Sequence, residues 1–270
     1  MTTPLSLGDR PTDTSPEARK AVYKELAILT VVTLLLIRGV VALQPALGLP
    51  DWILAAVPFL FIYAPVALCR IRGVDSFAYR LSIPAFRDWR GWWAGLKDAL
   101  LLFGIILVPW LIGYHFYYQL PLFSGDYAPT PERVAAFLGR AESYPVPGLG
   151  SVDVPYWLEL CAYQLFFVAI PEEFFYRGYM QTRLNEVFPR KFLLFGVPFG
   201  HALWITALVF ALGHSVVVFR WWHFSIFVPG LLFGLMRERS GAVLAGAFFH
   251  AFCNIAVISL DAIYGVSVPP

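Results

Sequence analysis

Seven long apolar runs dominate this sequence and constrain its fold more than any other feature. A helix needs about 20 mainly apolar residues to cross the hydrocarbon core of a bilayer, and the backbone groups of such a segment must be hydrogen-bonded internally. The sequence therefore predicts an all-α, polytopic transmembrane helix bundle of about seven helices, with six to eight as the range. The runs occupy residues 26–47, 52–69, 98–119, 156–180, 197–218, 222–236 and 241–260.

Composition indicates a membrane protein and argues against nucleic-acid-binding and disulfide-rich proteins. The chain is 59% hydrophobic and 14% charged, with a mean hydropathy of +0.66, whereas soluble domains are about 45–50% apolar. The formal net charge is only +2 and the basic residues are scattered, so no nucleic acid is expected as a partner. Cys69, Cys161 and Cys253 lie far apart and have no spacing typical of a disulfide framework or a zinc site.

The polar ends and the loop charges predict the domain organisation. Residues 1–20 lack the apolar core of a signal peptide, and we expect them to form a disordered cytoplasmic tail. Residues 21–265 are expected to form a single membrane-embedded helical domain. Lys and Arg precede the first run and follow the second, fourth and sixth, so the excess of positive charge on cytoplasmic loops predicts a cytoplasmic N-terminus.

Ionisable residues inside apolar runs are costly and are functional candidates by default. Arg38 lies within the first run, and we expect its side chain to snorkel to the interface or to pair with a buried acid. His115, His201 and His223 lie near the ends of runs beside aromatic residues, where a structural role is expected.

The stretch 171–177, PEEFFYR, ends an apolar run with two adjacent carboxylates. On a helix, Glu173 and Arg177 stand at i, i+4 and can form an ion pair. Glu172 lies about 100° away around the helix and is free to face another group.

Two further polar pairs lie on later apolar runs. Phe210 precedes His214 by four residues, and His250 precedes Asn254 by the same spacing. Polar groups in membrane helices usually face the interior of the bundle, so Glu172 and these groups are expected to converge on a polar cavity. A glutamate there can act as general base toward water, and imidazole and amide groups can bind an oxyanion.

These three motifs, in this order, resemble those of the CPBP family of CAAX proteases and bacteriocin-processing proteins, whose signature is EExxxR, FxxxH and HxxxN. The resemblance covers a protease core at residues 156–260. It implies that Glu172 activates water and that His214, His250 and Asn254 hold the water or the oxyanion. Glu173 and Arg177 match the supporting positions of the first motif.

The resemblance favours a glutamate-dependent mechanism without a cofactor. Glu172, His214 and His250 have zinc-ligand chemistry, so a metal-dependent variant is the alternative. The chain has no HExxH pair, and an asparagine amide is a poor zinc ligand.

The predicted function is an intramembrane endopeptidase that hydrolyses a peptide bond near the C-terminus of a lipidated or tag-anchored membrane protein. A prenylated CAAX protein, a C-terminal sorting tag and a peptide precursor are the open alternatives for the substrate. The expected location is a bacterial inner membrane. The alternative functions are a proton-coupled transporter, which would use Glu172 and the histidines as a relay, and a non-catalytic membrane scaffold or immunity-type protein.

Overall fold

The computed structural model describes residues 12–79, 84, 87–119, 154–219 and 221–263. In these ranges the chain forms seven helices, as the apolar runs predict. They are α1 (Pro16–Ala46), α2 (Ala56–Ile71), α3 (Trp89–Gln119), α4 (the helical run 154–185), α5 (His201–Val217), α6 (Phe227–Ser240) and α7 (Leu244–Ile263). Short 3₁₀ turns at Asp51–Ala55, Ser76–Tyr79 and Trp221–Ile226 and an antiparallel hairpin, β1 (Phe192–Leu194) with β2 (Val197–Phe199), complete the described part.

Four of the described helices are long and apolar enough to cross a membrane. They are Pro16–Ala46, Asp51–Ile71, Trp89–Tyr114 and Leu244–Asp261, and α5 is a shorter apolar helix. The other two helices, α4 and α6, differ because they carry charged side chains that are buried inside the bundle. Buried charge therefore distinguishes α4 and α6 from the apolar helices.

Helix α1 begins earlier than the apolar run alone indicates. The Ser15 side chain accepts a hydrogen bond from the backbone N–H of Ala18 at 3.2 Å, Pro16 occupies the first helical position and Glu17 lies in the first turn. Each of these features stabilises a helix N-terminus. The predicted tail, residues 1–20, is therefore too long, since its last five residues belong to α1; residues 1–11 lie outside the described ranges.

Helix α4 is irregular and lies at the centre of the bundle. Its α-helical segments Val154–Tyr163, Ile170–Glu173 and Thr182–Asn185 alternate with π-helical segments, Gln164–Ala169 and Phe174–Gln181. A π turn holds an extra residue and rotates the next part of the helix relative to a regular α-helix. Helices α2, α5, α6 and α7 all contact this run, and residues 173–182 are buried throughout.

A polar cluster connects the C-terminal part of α4 to α1. Arg183 donates to both oxygens of the Glu25 carboxylate at 3.1 Å, through Nε and Nη2. The hydroxyl of Tyr179 donates to the same carboxylate at 2.7 Å. These contacts place the C-terminal end of α4 beside the N-terminal third of α1.

Helix α5 runs alongside α1 in the same direction. At one end, the ring of Phe188 packs against Tyr23 of α1 and against His201, the first residue of α5, with centroids 5.9 Å apart in both cases. At the other end, Arg38 of α1 donates hydrogen bonds to the carbonyls of Val216 and Val217. This pairing holds the last turn of α5 in a fixed place.

The start of α5 depends on a glycine. A Cβ at Gly200 would lie 2.5 Å from the carbonyl oxygen of Pro189, a backbone atom that cannot rotate away. We expect Gly200→Ala to lower the free energy of unfolding by about 1–3 kcal/mol through overpacking. Gly104→Ala in α3 is the matched control, because a Cβ there has nothing within 4 Å. The check is thermal unfolding of the purified proteins in detergent, and equal unfolding temperatures would contradict the packing argument.

Candidate active site

Glu172 lies where three helices meet. Its Oε2 atom is 3.9 Å from Nε2 of His214 on α5 and 3.9 Å from Nε2 of His250 on α7. The Glu172 side chain is 15% exposed, that of His214 is 29% exposed, and that of His250 is buried. Three of the residues that the motifs single out therefore face one another in a partly accessible site.

The hydrogen bond of His214 defines its tautomer. Nδ1 lies 2.9 Å from the backbone carbonyl of Phe210, one turn earlier on α5. A carbonyl oxygen only accepts, so Nδ1 must carry the hydrogen. In the neutral ring, Nε2 then has a free lone pair, and this atom faces Glu172. The Phe210 ring packs edge-on against the imidazole, with centroids 4.7 Å apart.

His250 is oriented in the same way by a different acceptor. Its Nδ1 lies 3.2 Å from Oε1 of Glu173, so this nitrogen also donates and Nε2 also faces Glu172. The ring stacks on Phe233 of α6 with centroids 4.6 Å apart and an interplanar angle of 15°. Both imidazoles thus direct Nε2 toward the same carboxylate oxygen.

A fully buried ion pair lies behind the histidines. The predicted pairing of Glu173 with Arg177 is present, with Nη1 of Arg177 2.9 Å from Oε1 of Glu173 and both side chains 0% exposed. Nη2 of Arg177 also donates to the carbonyl of Gly230 at 2.9 Å. Because Glu173 Oε1 accepts from both Arg177 and His250, the ion pair connects α4 directly to a site histidine.

Aromatic rings enclose the Arg177 charge. Its guanidinium carbon lies 4.2 Å from the centroid of Phe210 and 5.1 Å from that of Phe233, which is within cation–π range. The same two rings contact the histidines: Phe210 packs on His214 and Phe233 on His250. The phenylalanine of the FxxxH motif therefore serves both the cation and the imidazole.

Asn254 has a partner that the sequence did not indicate. Its Nδ2 donates to Oε1 of Gln164 at 2.9 Å, which links α7 to the first π segment of α4. This bond orients the amide one turn beyond His250, but it is not a contact with Glu172. The sequence feature that could have indicated a role for Gln164 is that it is the single amide side chain in the apolar run 156–180.

His223 also lies nearer the site than its place near the end of a run predicts. Its ring centroid is 5.8 Å from that of His214, on the 3₁₀ turn Trp221–Ile226 that follows α5. His201, in contrast, packs on Phe188 and Phe192, which is the structural role expected. The side chain of His115 lies outside the described residues.

The zinc alternative can be compared with this geometry. Two imidazole Nε2 atoms and a carboxylate oxygen are donors that zinc accepts, but zinc bonds of about 2.0–2.2 Å place tetrahedral ligands about 3.3 Å apart. The separations from Glu172 are 3.9 Å. Within the described residues, no group of three or more His, Cys, Asp or Glu is arranged to hold a metal ion. The side chains would have to move closer together to bind one.

Comparison with known families identifies the part of the chain that forms this site. A family model described as "Type II CAAX prenyl endopeptidase Rce1-like" matches residues 155–256. That range contains all six motif residues, and the match confirms the resemblance to the CAAX proteases. No curated protein and no solved structure matched the chain.

The buried ion pair gives a prediction about stability. We expect Glu173→Ala to lower the free energy of unfolding by about 3–5 kcal/mol, because it leaves the Arg177 charge buried without its partner. Glu159→Ala removes an exposed acid from the same helix and should change stability by no more than about 0.5 kcal/mol. Chemical unfolding in detergent measures both.

A double substitution tests the cause. If the orphaned charge is responsible, Glu173→Ala combined with Arg177→Met should be less destabilising than the sum of the two single changes. Strict additivity would show that the two side chains do not act as a pair.

Proposed function

We propose that this chain, whose residues 155–256 match the Rce1-like family, is an intramembrane endopeptidase in which Glu172 activates the attacking water. The observation that carries the proposal is the approach of two imidazole Nε2 atoms to one oxygen of the Glu172 carboxylate, each at 3.9 Å. This separation is too long for a direct hydrogen bond. It suits a water molecule that bonds to the carboxylate and to an imidazole.

The tautomers support a water-activating role. With Nδ1 of His214 donating to the Phe210 carbonyl, Nε2 of the neutral ring can accept one O–H of a water. Glu172 accepts the other O–H and takes that proton as the water oxygen bonds to the substrate carbonyl carbon. The carbonyl π electrons move to its oxygen and form an oxyanion. When the C–N bond breaks, the protonated Glu172 returns the proton to the leaving nitrogen.

The oxyanion needs a donor, and His250 is the better placed histidine. A histidine whose Nδ1–H is already engaged can donate through Nε2 only as an imidazolium. Nδ1 of His250 donates to a carboxylate, the Oε1 atom of Glu173, whereas Nδ1 of His214 donates to the neutral carbonyl of Phe210. We therefore assign His214 to the water and His250 to the oxyanion. Asn254, oriented by Gln164, supplies a second donor one turn along α7.

The family match and the location of the site support a proposal for the substrate class. The family description names CAAX prenyl endopeptidases, and the site lies inside a bundle of apolar helices. We propose a lipidated or tag-anchored membrane protein as the substrate, cleaved near its C-terminus. A prenylated CAAX protein, a sorting tag and a peptide precursor are distinguished by a substrate panel. We further propose that the N-terminus is cytoplasmic, in a bacterial inner membrane.

Glu172→Gln tests the mechanism. We expect it to lower kcat/KM by about 10²–10⁴-fold, since the amide cannot take the proton, while the protein stays folded. The measurement is cleavage of C-terminally tagged membrane substrates by purified protein in lipid nanodiscs, with Glu159→Gln as the matched control. Full activity in Glu172→Gln would rule out Glu172 as the base.

A chelator distinguishes the glutamate-dependent mechanism from the metal-dependent one. We expect a strong chelator to leave wild-type cleavage unchanged if Glu172 acts without a metal. Loss of cleavage with recovery on adding Zn²⁺ would make His214 and His250 metal ligands. An absence of cleavage by wild-type protein across the panel would favour the transporter or scaffold alternatives.

A further inference from the structure

We propose that the β1–β2 hairpin inserts its tip into the headgroup region of the membrane, on the side where α1 begins, and so anchors the connection between α4 and α5 to the lipid surface. The inference does not depend on the endopeptidase proposal, since the hairpin contains none of the motif residues. It begins from a run of apolar side chains in the hairpin that the described part of the protein leaves exposed.

The hairpin is apolar on both faces. Residues 191–200 read KFLLFGVPFG, in which Lys191 is the single polar side chain. Leu193 pairs with Pro198, so these two side chains share a face, and Leu193 is 72% exposed. A hairpin that borders water alternates apolar and polar residues, so that one face is solvated. Neither face of this hairpin has that pattern, which argues against an aqueous surrounding.

The tip carries an aromatic residue in an unfavourable backbone conformation. Phe195 has a φ of 49° and Gly196 a φ of 76°, as in a type I′ turn, for which Asn-Gly is the favoured pair. Within the described ranges, Phe195 is the only residue other than glycine with a positive φ. Phe195 is also 93% exposed, so contacts with described residues do little to offset the strain. A bulky ring held in this way indicates a contact outside the chain.

The packing at the base of the hairpin places it at the level of the membrane–water interface. The ring of Phe192 packs on His201 with centroids 5.6 Å apart, and Phe188 packs on both His201 and Tyr23. Tyr23 lies just before the first apolar run, where tyrosine is enriched in membrane proteins. Helix α5 has 17 residues and is about 25 Å long, shorter than a hydrocarbon core of about 30 Å. The apolar hairpin therefore lies where this short helix ends.

The hairpin also adjoins a surface that faces lipid. Phe199 of β2 packs on Trp204 of α5 with centroids 6.5 Å apart. Trp204 is 44% exposed on an apolar helix, and it also contacts Phe227 of α6. The apolar surface of the hairpin is thus continuous with the exposed side of α5.

Charge and backbone polarity limit the depth of insertion. Arg190 is paired with Glu238 at 2.7 Å, whereas Lys191 is exposed and takes part in none of the ion pairs between described residues. Its ammonium group suits an anionic headgroup. A two-stranded hairpin leaves backbone groups unpaired along both edges, and such groups are costly in hydrocarbon. The tip therefore reaches about 5–10 Å into the boundary between headgroups and acyl chains, while the strands stay among the headgroups.

Fluorescence quenching tests the location of the hairpin. In a Cys161→Ser background, which removes the exposed cysteine, a bimane label is attached at Leu193→Cys in nanodiscs of phosphatidylcholine and phosphatidylglycerol. We expect a nitroxide near the lipid headgroup to quench this label about 2-fold more than a nitroxide at the chain end. Aqueous acrylamide should quench it about 3-fold less than a label at Glu17→Cys, an exposed position before the apolar run. A label at Val31→Cys, exposed within the apolar run of α1, should respond most to the nitroxide at the chain end.

Phe195→Asn tests the tip itself. Asn-Gly suits the type I′ turn, so this change keeps the hairpin and removes the aromatic ring. We expect headgroup-nitroxide quenching at Leu193→Cys to fall about 2-fold and acrylamide quenching to rise, whereas Phe195→Trp should retain the wild-type values. The unfolding temperature of Phe195→Asn in detergent should be unchanged or higher.

Three results would overturn the inference. The first is equal acrylamide quenching at Leu193→Cys and Glu17→Cys without quenching by either nitroxide, which would place the hairpin in water. The second is protection from acrylamide only when two copies share a nanodisc, which would assign the hairpin to a second copy of the chain. The third is protection only after a substrate peptide is added, which would assign it to the substrate. None of these measurements requires cleavage, so a failure of the catalytic proposal leaves the test intact.

Discussion

The buried ion pair between Glu173 and Arg177 is the interaction on which the rest of the structure depends. Both side chains are 0% exposed, and a charged pair so enclosed is tolerated only when hydrogen bonds satisfy it on several sides. Here these partners come from α6, through the Gly230 carbonyl, and from α7, through His250. Helices α4, α6 and α7 are therefore joined by an ion pair that would be costly to expose to lipid.

Two consecutive carboxylates have different roles because the helix directs them to different surroundings. Glu173 faces an arginine and an imidazole donor, and its Oε1 atom accepts from both. Glu172 faces two Nε2 atoms at a distance that leaves space for a reacting oxygen. Glu173 thus links Arg177 to His250, and Glu172 is the carboxylate to which we assign proton transfer.

The end of α5 shows how α1, which lies outside the family segment, contributes to the site. His214 lies in the last turn of this helix, and its neighbours there are held by α1 through Leu34 and Arg38. A cation at the carbonyl end of a helix is favourable. The contact therefore joins α1 to the end of α5 that carries His214.

The sequence by itself determined the class of fold and the approximate spans, and it singled out Glu172, His214 and His250, which the structure brings together. Apolar run length is a local property, as is the i, i+4 spacing that predicts the Glu173–Arg177 pair. The cap at Ser15 was also encoded locally, although the apolar pattern concealed it.

Only the tertiary structure decided which groups meet. The bonds of His250 to Glu173 and of Asn254 to Gln164 span 77 and 90 residues. Their partners on α4 lie in or directly beside its π-helical segments, which hydrophobic periodicity does not reveal. The same is true of Arg38. Its charge is evident in the sequence, but its partners are backbone carbonyls that only the packing of α1 on α5 brings within reach.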